Sequence, residues 1–542
     1  MSITSWSFAL FLCIAYVLYY TVFAGGRQWI CLLLASIAFY MFSGPQNLIF
    51  LVLTALICWK SALVMERWAD SARDYKMALR NKEKAGQDNE EKKEFDEKRR
   101  YPSVFAGLSA KEAGACARKK KRQILAVALL FNFGVLALVK YWGVAWHGWL
   151  LPLGMSFYTF QAVGYLIDVY NGKTKAEKNF FYYFLFVSFF PQLIQGPIGR
   201  FDQLEPQLLG KHKASWEGWK KGMLLIAFGL MKKYAIANVL APAISVLLDE
   251  NISQIPGSAV VLGIVMYSFQ QYADFSGGID IVTGVAGLFD IELAPNFRQP
   301  YFSVSLGDFW RRWHISLGAW MRDYVFYPFA LLKPVQRLGK RISKRCGKHL
   351  GVVLPASIAN ILVFFLVGIW HGLELHYVLW GLYNGIVIAA SDICAPWFKR
   401  LSEALRLSAD SAGMHIFRIA RTFVIVNIGW YFDRIFRFRD CIHAFAVTFT
   451  PGRFMAAELE NTVRNLLMLP EVLTGKGIML AAAGIAVLFL TDCIHEKKET
   501  VYEILAGRSR PFRWCVLYAF LLLVQLSIDF SNISSAFMYA NF

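Results

Sequence analysis

The chain has 542 residues, of which 56% are hydrophobic and 18% charged, whereas soluble domains carry nearer a quarter of charged residues. Apolar residues recur in runs of about 17 to 20, long enough to cross a bilayer, so the pattern excludes a soluble protein with one anchor and points to a polytopic helical membrane protein. The net charge is +19, and basic residues gathered in cytoplasmic loops account for it without any nucleic-acid partner.

Trp6 to Phe23 reads as a first span. It lacks the basic leader and the small-residue cleavage site of a signal peptide, so it is expected to stay in the mature chain. Trp29 to Phe42 and Leu48 to Val64 give a second and a third. Residues 66–122 then turn strongly charged, with DNEEKKEFDEKRR in the middle and RKKKR at the end. This stretch is expected to be a helical hairpin or partly disordered, and its basic excess places it in the cytoplasm. Three spans before it put the N-terminus outside.

Ile124 to Val139 is the next apolar run, closed by Lys140, Tyr141 and Trp142 at an interface. Leu151 to Tyr170 is apolar but interrupted by Pro152, Gly154 and Gly164. Phe180 to Phe190 leads into PQLIQGPIGR, whose two prolines and two glycines cannot continue a lipid-facing helix. Such backbone is tolerated at membrane depth only when buried in protein or lining a cavity, so a re-entrant segment is expected there, with Gln195 on its lining. Further spans follow at 222–230 with its continuation, 260–275, 352–370, 377–393, 416–432, 477–490 and 514–528. Residues 332–348 form a second basic block with no acid, read as cytoplasmic. The total is roughly eleven spans, uncertain by about two at the resolution of hydropathy. No internal repeat of the transporter kind is visible. Nine cysteines are scattered singly without a CxxC pair, and no carboxylate or thiol set stands at ligand spacing, so no metal is expected.

The residues that could carry chemistry cluster in SLGDFWRRWHISLGAWMRDYVFY, Ser305 to Tyr327. If Asp308 to Tyr324 is one helix, then Trp310, Trp313, His314, Leu317 and Met321 share a face, and Asp308 reaches Arg311 and Arg312. His371 ends another apolar run in GIWHG, beside Trp370 and between Gly368 and Gly372, where a second backbone or a ligand can come close. A bland role fits each histidine alone: a hydrogen-bonded core residue for His314, a helix-end marker for His371. Ionisable groups at membrane depth make function the default hypothesis instead. Asp168, Asp274 and Asp280 also lie near apolar segments. Asp274, close to Ser276 in DFSGG, suits either a polar lining or a helix cap.

Taken together, LPLGMSFYTFQ (151–161), FFPQLIQGPIGRF (189–201), QQYADFSGGID (270–280), PNFRQPYF (295–302), FWRRWHISLGAWMRDYVFYP (309–328) and GIWHG followed by WGLYNG (368–385) resemble the membrane-bound O-acyltransferase family. The resemblance is strongest to its bacterial branch that contains the alginate O-acetylation membrane subunit. GWYFDRIFRF and the terminal FMYANF resemble that branch more weakly. Where the branch commonly has an aromatic and a small hydroxyl residue after DFSG, this chain has Gly278 and Ile279.

The resemblance implies an all-α polytopic membrane protein, a ring of tilted helices with re-entrant segments around a central tunnel. Its parts would be N-terminal transmembrane helices (1–65), a charged cytoplasmic loop (66–122), a catalytic core (123–400) and C-terminal transmembrane helices (401–542). It also implies transfer of an acyl group, acetyl foremost, from a cytoplasmic thioester to hydroxyls of an extracytoplasmic cell-envelope polysaccharide in a bacterial inner membrane. The donor would be acetyl-CoA or an acyl carrier protein, with no permanently bound cofactor, and a partner acyltransferase protein would help deliver the glycan. His371 matches the family's catalytic histidine and His314 its second tunnel histidine. A neutral buried imidazole suits a general base, so His371 is expected to take the hydroxyl proton and His314 to hydrogen-bond the substrate or the thioester carbonyl. Trp310, Trp313, Trp370, Asp274, Ser276 and Gln195 are the expected lining. D-alanyl transfer to teichoic acid is the nearest alternative; a transporter or a scaffold of envelope assembly is the alternative from another class.

Overall fold

The computed structural model describes residues 3–85, 102–143, 151–250, 252, 254–408, 411–469, 472–530 and 537. The middle of the charged loop and the end of FMYANF therefore lie outside the described residues. Helices dominate, and among the described residues the only extended pairing is an isolated antiparallel bridge between Phe297 and Trp313. Six helices are long and apolar enough to cross a membrane, or seven if the pair Leu375–Ile393 and Ala395–Ala404, bent by 55°, counts as one span. Each expected span falls on a helix, but several are short, such as Trp6–Tyr20, or lie mostly buried in protein, such as Met155–Asn171 and Gly257–Leu288. The protein is thus a multi-pass helical membrane protein.

The chain forms two compact units. The first comprises mainly Ser7–Ile194 and Ile198–Lys213. Its longest helix, Leu48–Ala85, has 38 residues and runs straight on from the third expected span into the charged loop. It packs along Ala110–Ala137, the returning arm of a helical hairpin. Phe105, Ala113 and Ala117 form a small apolar cluster with Trp68 and Tyr75 beyond the membrane-length part. The return helix starts with a capping box, in which the Ser109 side chain accepts from the Glu112 N–H and Glu112 accepts from Ser109. The Met155–Asn171 helix ends at Gly172 with φ 75°, the left-handed conformation that glycine adopts without penalty. Lys121 Nζ donates to the Tyr170 carbonyl at 2.8 Å, a cation on the negative end of that helix. PQLIQGPIGR behaves as its prolines require: a short helix, Phe190–Gln195, gives way to irregular buried backbone at 196–200.

The second unit comprises mainly Gln195–Pro197 and Ala214–Phe542. Trp216–Met231 continues through a π-turn at Lys232–Ala237 and packs antiparallel on Gly257–Leu288. Two glycine pairs seven residues apart make the contact. A Cβ on Gly229 would stand 2.4 Å from the Gly277 carbonyl oxygen, and one on Gly284 would stand 2.6 Å from that of Gly222. Small residues at a seven-residue spacing let two membrane helices approach backbone to backbone. Two ion pairs cross the same interface, the partly buried Lys232 Nζ to Asp280 Oδ2 and the buried Lys233 Nζ to Asp274 Oδ1, both 2.6 Å.

Asp274→Asn is therefore expected to destabilise the protein by about 3–5 kcal/mol, because it leaves the buried Lys233 ammonium without this counter-ion. Replacing both partners, Lys233→Met with Asp274→Leu, should restore most of the loss. Thermal unfolding of the detergent-solubilised protein measures both, and an Asn variant that melts like wild type would remove any structural role for the pair.

Candidate functional site

His371 is the last residue of the Lys348–His371 helix, which stops at Gly372. The ring is 7% exposed. Trp370, Trp380 and Tyr377 surround it, with ring centroids at 4.8, 5.0 and 5.8 Å. Trp380 and Tyr377 come from the following helix, Leu375–Ile393, which packs closely against the first.

His314 departs from the expected single helix. Leu306–Arg312 and Ile315–Met321 are separate helices, and His314 between them has φ 46°. The break has a tertiary cause. Trp313 is extended and pairs with Phe297. The Arg298 N–H donates to the Arg312 carbonyl at 2.9 Å, and the Ile315 N–H to the Asn296 carbonyl at 3.0 Å. Hydrogen bonds to the 296–298 segment replace the helical ones at this point. The expected reach of Asp308 to Arg311 and Arg312 is present, at 3.4 and 3.1 Å.

The hydrogen bonds around Asn296 decide the tautomer of His314. Asn296 Oδ1 accepts from the Ser316 backbone N–H at 3.0 Å and from Ser316 Oγ at 2.9 Å. A backbone N–H only donates, so the Asn296 atom is the carbonyl oxygen. His314 Nδ1 stands 3.1 Å from that oxygen, and so it carries the proton. In the neutral ring Nε2 is then an acceptor. With its Nδ1–H turned to Asn296, His314 has Nε2 as its second hydrogen-bonding nitrogen.

Both histidines line one cavity of about 880 Å³, together with Trp310, Trp313, Trp380 and Phe364. Arg311, Arg322 and Arg421 share its wall with a single acid, Asp392, so it favours an anionic occupant. A second cavity of about 360 Å³ also has His371 in its wall, with Tyr267, Gln271, Tyr377, Asp433 and Arg434. His371 is thus in the wall of both cavities.

The remaining expected residues divide. Trp310 lines the large cavity and donates from Nε1 to Asn384 Oδ1 at 2.9 Å. Trp313 is held among Phe297, Phe309 and Trp430. Trp370 packs on His371 but is in neither wall. Asp274, Ser276 and Gln195 are not among the residues lining these two cavities. Asp274 is paired with Lys233 in the middle of a helix, so it is not a cap either. Ser276 Oγ accepts from Lys232 Nζ at 3.1 Å. Gln195 lies against Gly278, where an added Cβ would meet its Oε1 at 2.4 Å. Asn296, Trp380, Asp433 and Gln271 escaped the sequence reading. Asp433, an ionisable group at the end of an apolar run in YFDRIF, was the one with a usable signal.

Asn296→Ala removes the acceptor of three donors at once. It is expected to destabilise by about 1–3 kcal/mol and to lower turnover through His314. Unchanged melting and unchanged turnover together would show that this acceptor does not hold the ring.

Residues 175–406 match the membrane-bound O-acyltransferase family. A probable alginate O-acetylase of Pseudomonas aeruginosa is 32% identical over 58% of this chain and 54% of its own length. The peptidoglycan O-acetyltransferase of Helicobacter pylori is 30% identical over 58% and 62%. The teichoic acid D-alanyltransferase of Bacillus subtilis is 28% identical over 53% and 69%. The chain spans a little over half the length of the alginate relatives it matches.

Proposed function

Because the chain belongs to the membrane-bound O-acyltransferase family, we propose that it moves an acyl group, acetyl foremost, from a cytoplasmic thioester to a hydroxyl of an extracytoplasmic cell-envelope polysaccharide. The observation that carries this reading is the position of His371, whose ring borders two cavities. The larger one runs from His371 to Asp392, Cys394 and Phe398, at the end of the Leu375–Ile393 helix remote from Tyr377. The basic helix Lys333–Cys346 precedes the span that rises to His371. By the positive-inside rule that end is cytoplasmic, and the smaller cavity faces outward. The same rule puts 66–122 and 332–348 inside and the N-terminus outside, in a bacterial inner membrane.

In this reading the thioester of acetyl-CoA or of an acyl carrier protein enters the larger cavity, where arginines meet its phosphates. The acceptor hydroxyl approaches His371 from the other side. Its proton passes to the imidazole as the oxygen attacks the thioester carbonyl. The carbon–oxygen bond forms, the carbon–sulfur bond breaks, and the imidazolium returns the proton to the departing thiolate. His314, neutral and an acceptor, receives a hydrogen bond from an N–H or O–H of the bound substrate. Trp310 and Trp313 wall the thioester. A partner protein outside would present the glycan.

The test uses the full chain in lipid nanodiscs with acetyl-CoA and alginate oligosaccharide, read by mass spectrometry for O-acetyl groups. Labelled glycan is the expected result. Transfer only from D-alanyl carrier protein to teichoic acid would favour the second reading, which the 69% coverage of the Bacillus subtilis relative keeps in view. Transfer from neither donor to any acceptor would overturn both.

A further inference from the structure

Resting on that function, we propose that the smaller cavity is a subsite for one sugar ring of the acceptor, in which Asp433 and Gln271 hold hydroxyls adjacent to the reacting one. Both are positioning residues; the proton still goes to His371.

Asp433 and Gln271 are 7% and 2% exposed, and both lie in the cavity wall. Asp433 Oδ2 accepts from the Tyr267 hydroxyl at 2.7 Å and from Gln271 Nε2 at 3.2 Å. The second bond orients the Gln271 amide, since only its N–H₂ can serve a carboxylate. Gln271 Oε1 is then the atom turned elsewhere, and it is buried with no hydrogen-bond donor among the described residues. A buried oxygen without a donor is unfavourable. A hydroxyl-bearing ligand removes that cost, because each hydroxyl donates one bond and accepts others.

The surroundings suit a ring with hydroxyls at its rim. Tyr377 lies nearly parallel to His371, with 26° between the planes, and Phe436 is also in the wall, so the cavity offers flat apolar surface beside the base. Arg434 donates both Nη atoms to Asp249 at 2.5 Å, which neutralises that part of the wall. A carboxylate and an amide next to aromatic faces recognise a polyhydroxylated ring better than an acyl chain. The wall shared with the larger cavity is His371 itself, so a ring held here presents one hydroxyl to the base.

The experiment compares wild type, Asp433→Asn, Gln271→Met and His371→Ala as full chains in nanodiscs. Acceptors are alginate oligosaccharide, a peptidoglycan glycan fragment and teichoic acid. For the ring that is acylated, a deoxy analogue lacking the neighbouring hydroxyl is added. Asp433→Asn and Gln271→Met are each expected to raise the acceptor KM roughly tenfold or more while the thioester KM stays within about twofold. Wild type should reject the deoxy analogue by roughly a hundredfold or more, and either variant should lose most of that discrimination. An unchanged thioester KM also reports an intact fold, and Gln271→Met gives the same readout should Asp433→Asn not fold. Wild-type acceptor KM and discrimination in both variants, with His371→Ala silent, would overturn the subsite and leave the function standing. Transfer to a polyglycerol teichoic acid alone would overturn it too, because the subsite needs a ring. Activity in His371→Ala, or none in wild type, would overturn the function first.

Discussion

His371→Ala is expected to lower acyl transfer by roughly 10²–10⁴-fold, the contribution of a positioned general base, while the protein remains folded in the membrane. A sugar hydroxyl is a weak nucleophile, and the ring that borders both cavities is the group placed to take its proton. The ring's neighbours Trp370, Trp380 and Tyr377 are contiguous with it or lie on the next helix, and the two helices carrying these residues also meet along their glycines. Truncation therefore joins two spaces that already exist instead of opening a void in a closed core. The measurement is acetyl incorporated per molecule of nanodisc-embedded protein, alongside its melting temperature. Wild-type turnover in the variant would end the assignment of His371 as base. A large loss of melting temperature would reassign the effect to folding. His314→Asn is the informative companion, because asparagine tolerates the left-handed backbone at this position while removing Nε2. Its loss of turnover should be strong; wild-type turnover would remove His314 from the reaction.

Much of this was legible in the chain alone, for reasons specific to each residue. Apolar runs of membrane length fall on helices because lipid leaves the backbone no other partner. The irregular stretch after Gln195 was visible because proline and glycine cannot hide. His314 was visible as chemistry but not as geometry. The spacing of Trp310, Trp313 and Leu317 fits a continuous helix, and only Phe297, 16 residues upstream, breaks it by pairing with Trp313. Local periodicity carries no term for such a partner. The ion-pair partner of Asp274 was hidden for a similar reason. Its counter-ion Lys233 is 41 residues away, too far along the chain for local spacing to pair the two. Asp433 was passed over inside a run of aromatics, although an acid beside an arginine at the edge of a span is the pattern that intramembrane chemistry leaves. The roughly eleven expected spans outnumber the six or seven long apolar helices partly because some expected spans fall on helices that are apolar but short, such as Trp6–Tyr20 and Gln28–Phe42.

The placement of His371 depends in turn on two glycines that carry no chemistry, and Gly368→Val should expose this. A Cβ on Gly368 would stand 2.5 Å from the Tyr377 carbonyl oxygen, and one on Gly381 would stand 2.3 Å from that of Phe364. These obstacles are backbone atoms of the facing helix, so no side chain can swing aside. Gly385 continues the contact one turn on, with a Cβ position 2.9 Å from Ile361 Cα. The spacing of Gly381 and Gly385 is the small-residue pattern that lets membrane helices touch. Valine at 368 must push the Lys348–His371 and Leu375–Ile393 helices apart by roughly 1 Å, and a displacement of that size at a catalytic group costs on the order of 10²-fold in rate. Overpacking adds about 1–3 kcal/mol of destabilisation. Since Gly368 is less than one turn before His371, and Tyr377 and Trp380 are on the other helix, the separation opens the aromatic sleeve around the base. Gly134→Val is the control, because a Cβ there meets nothing within 4 Å and transfer should be unaffected. Gly368→Val protein that melts and turns over like wild type would mean that the helix contact does not set the position of the imidazole.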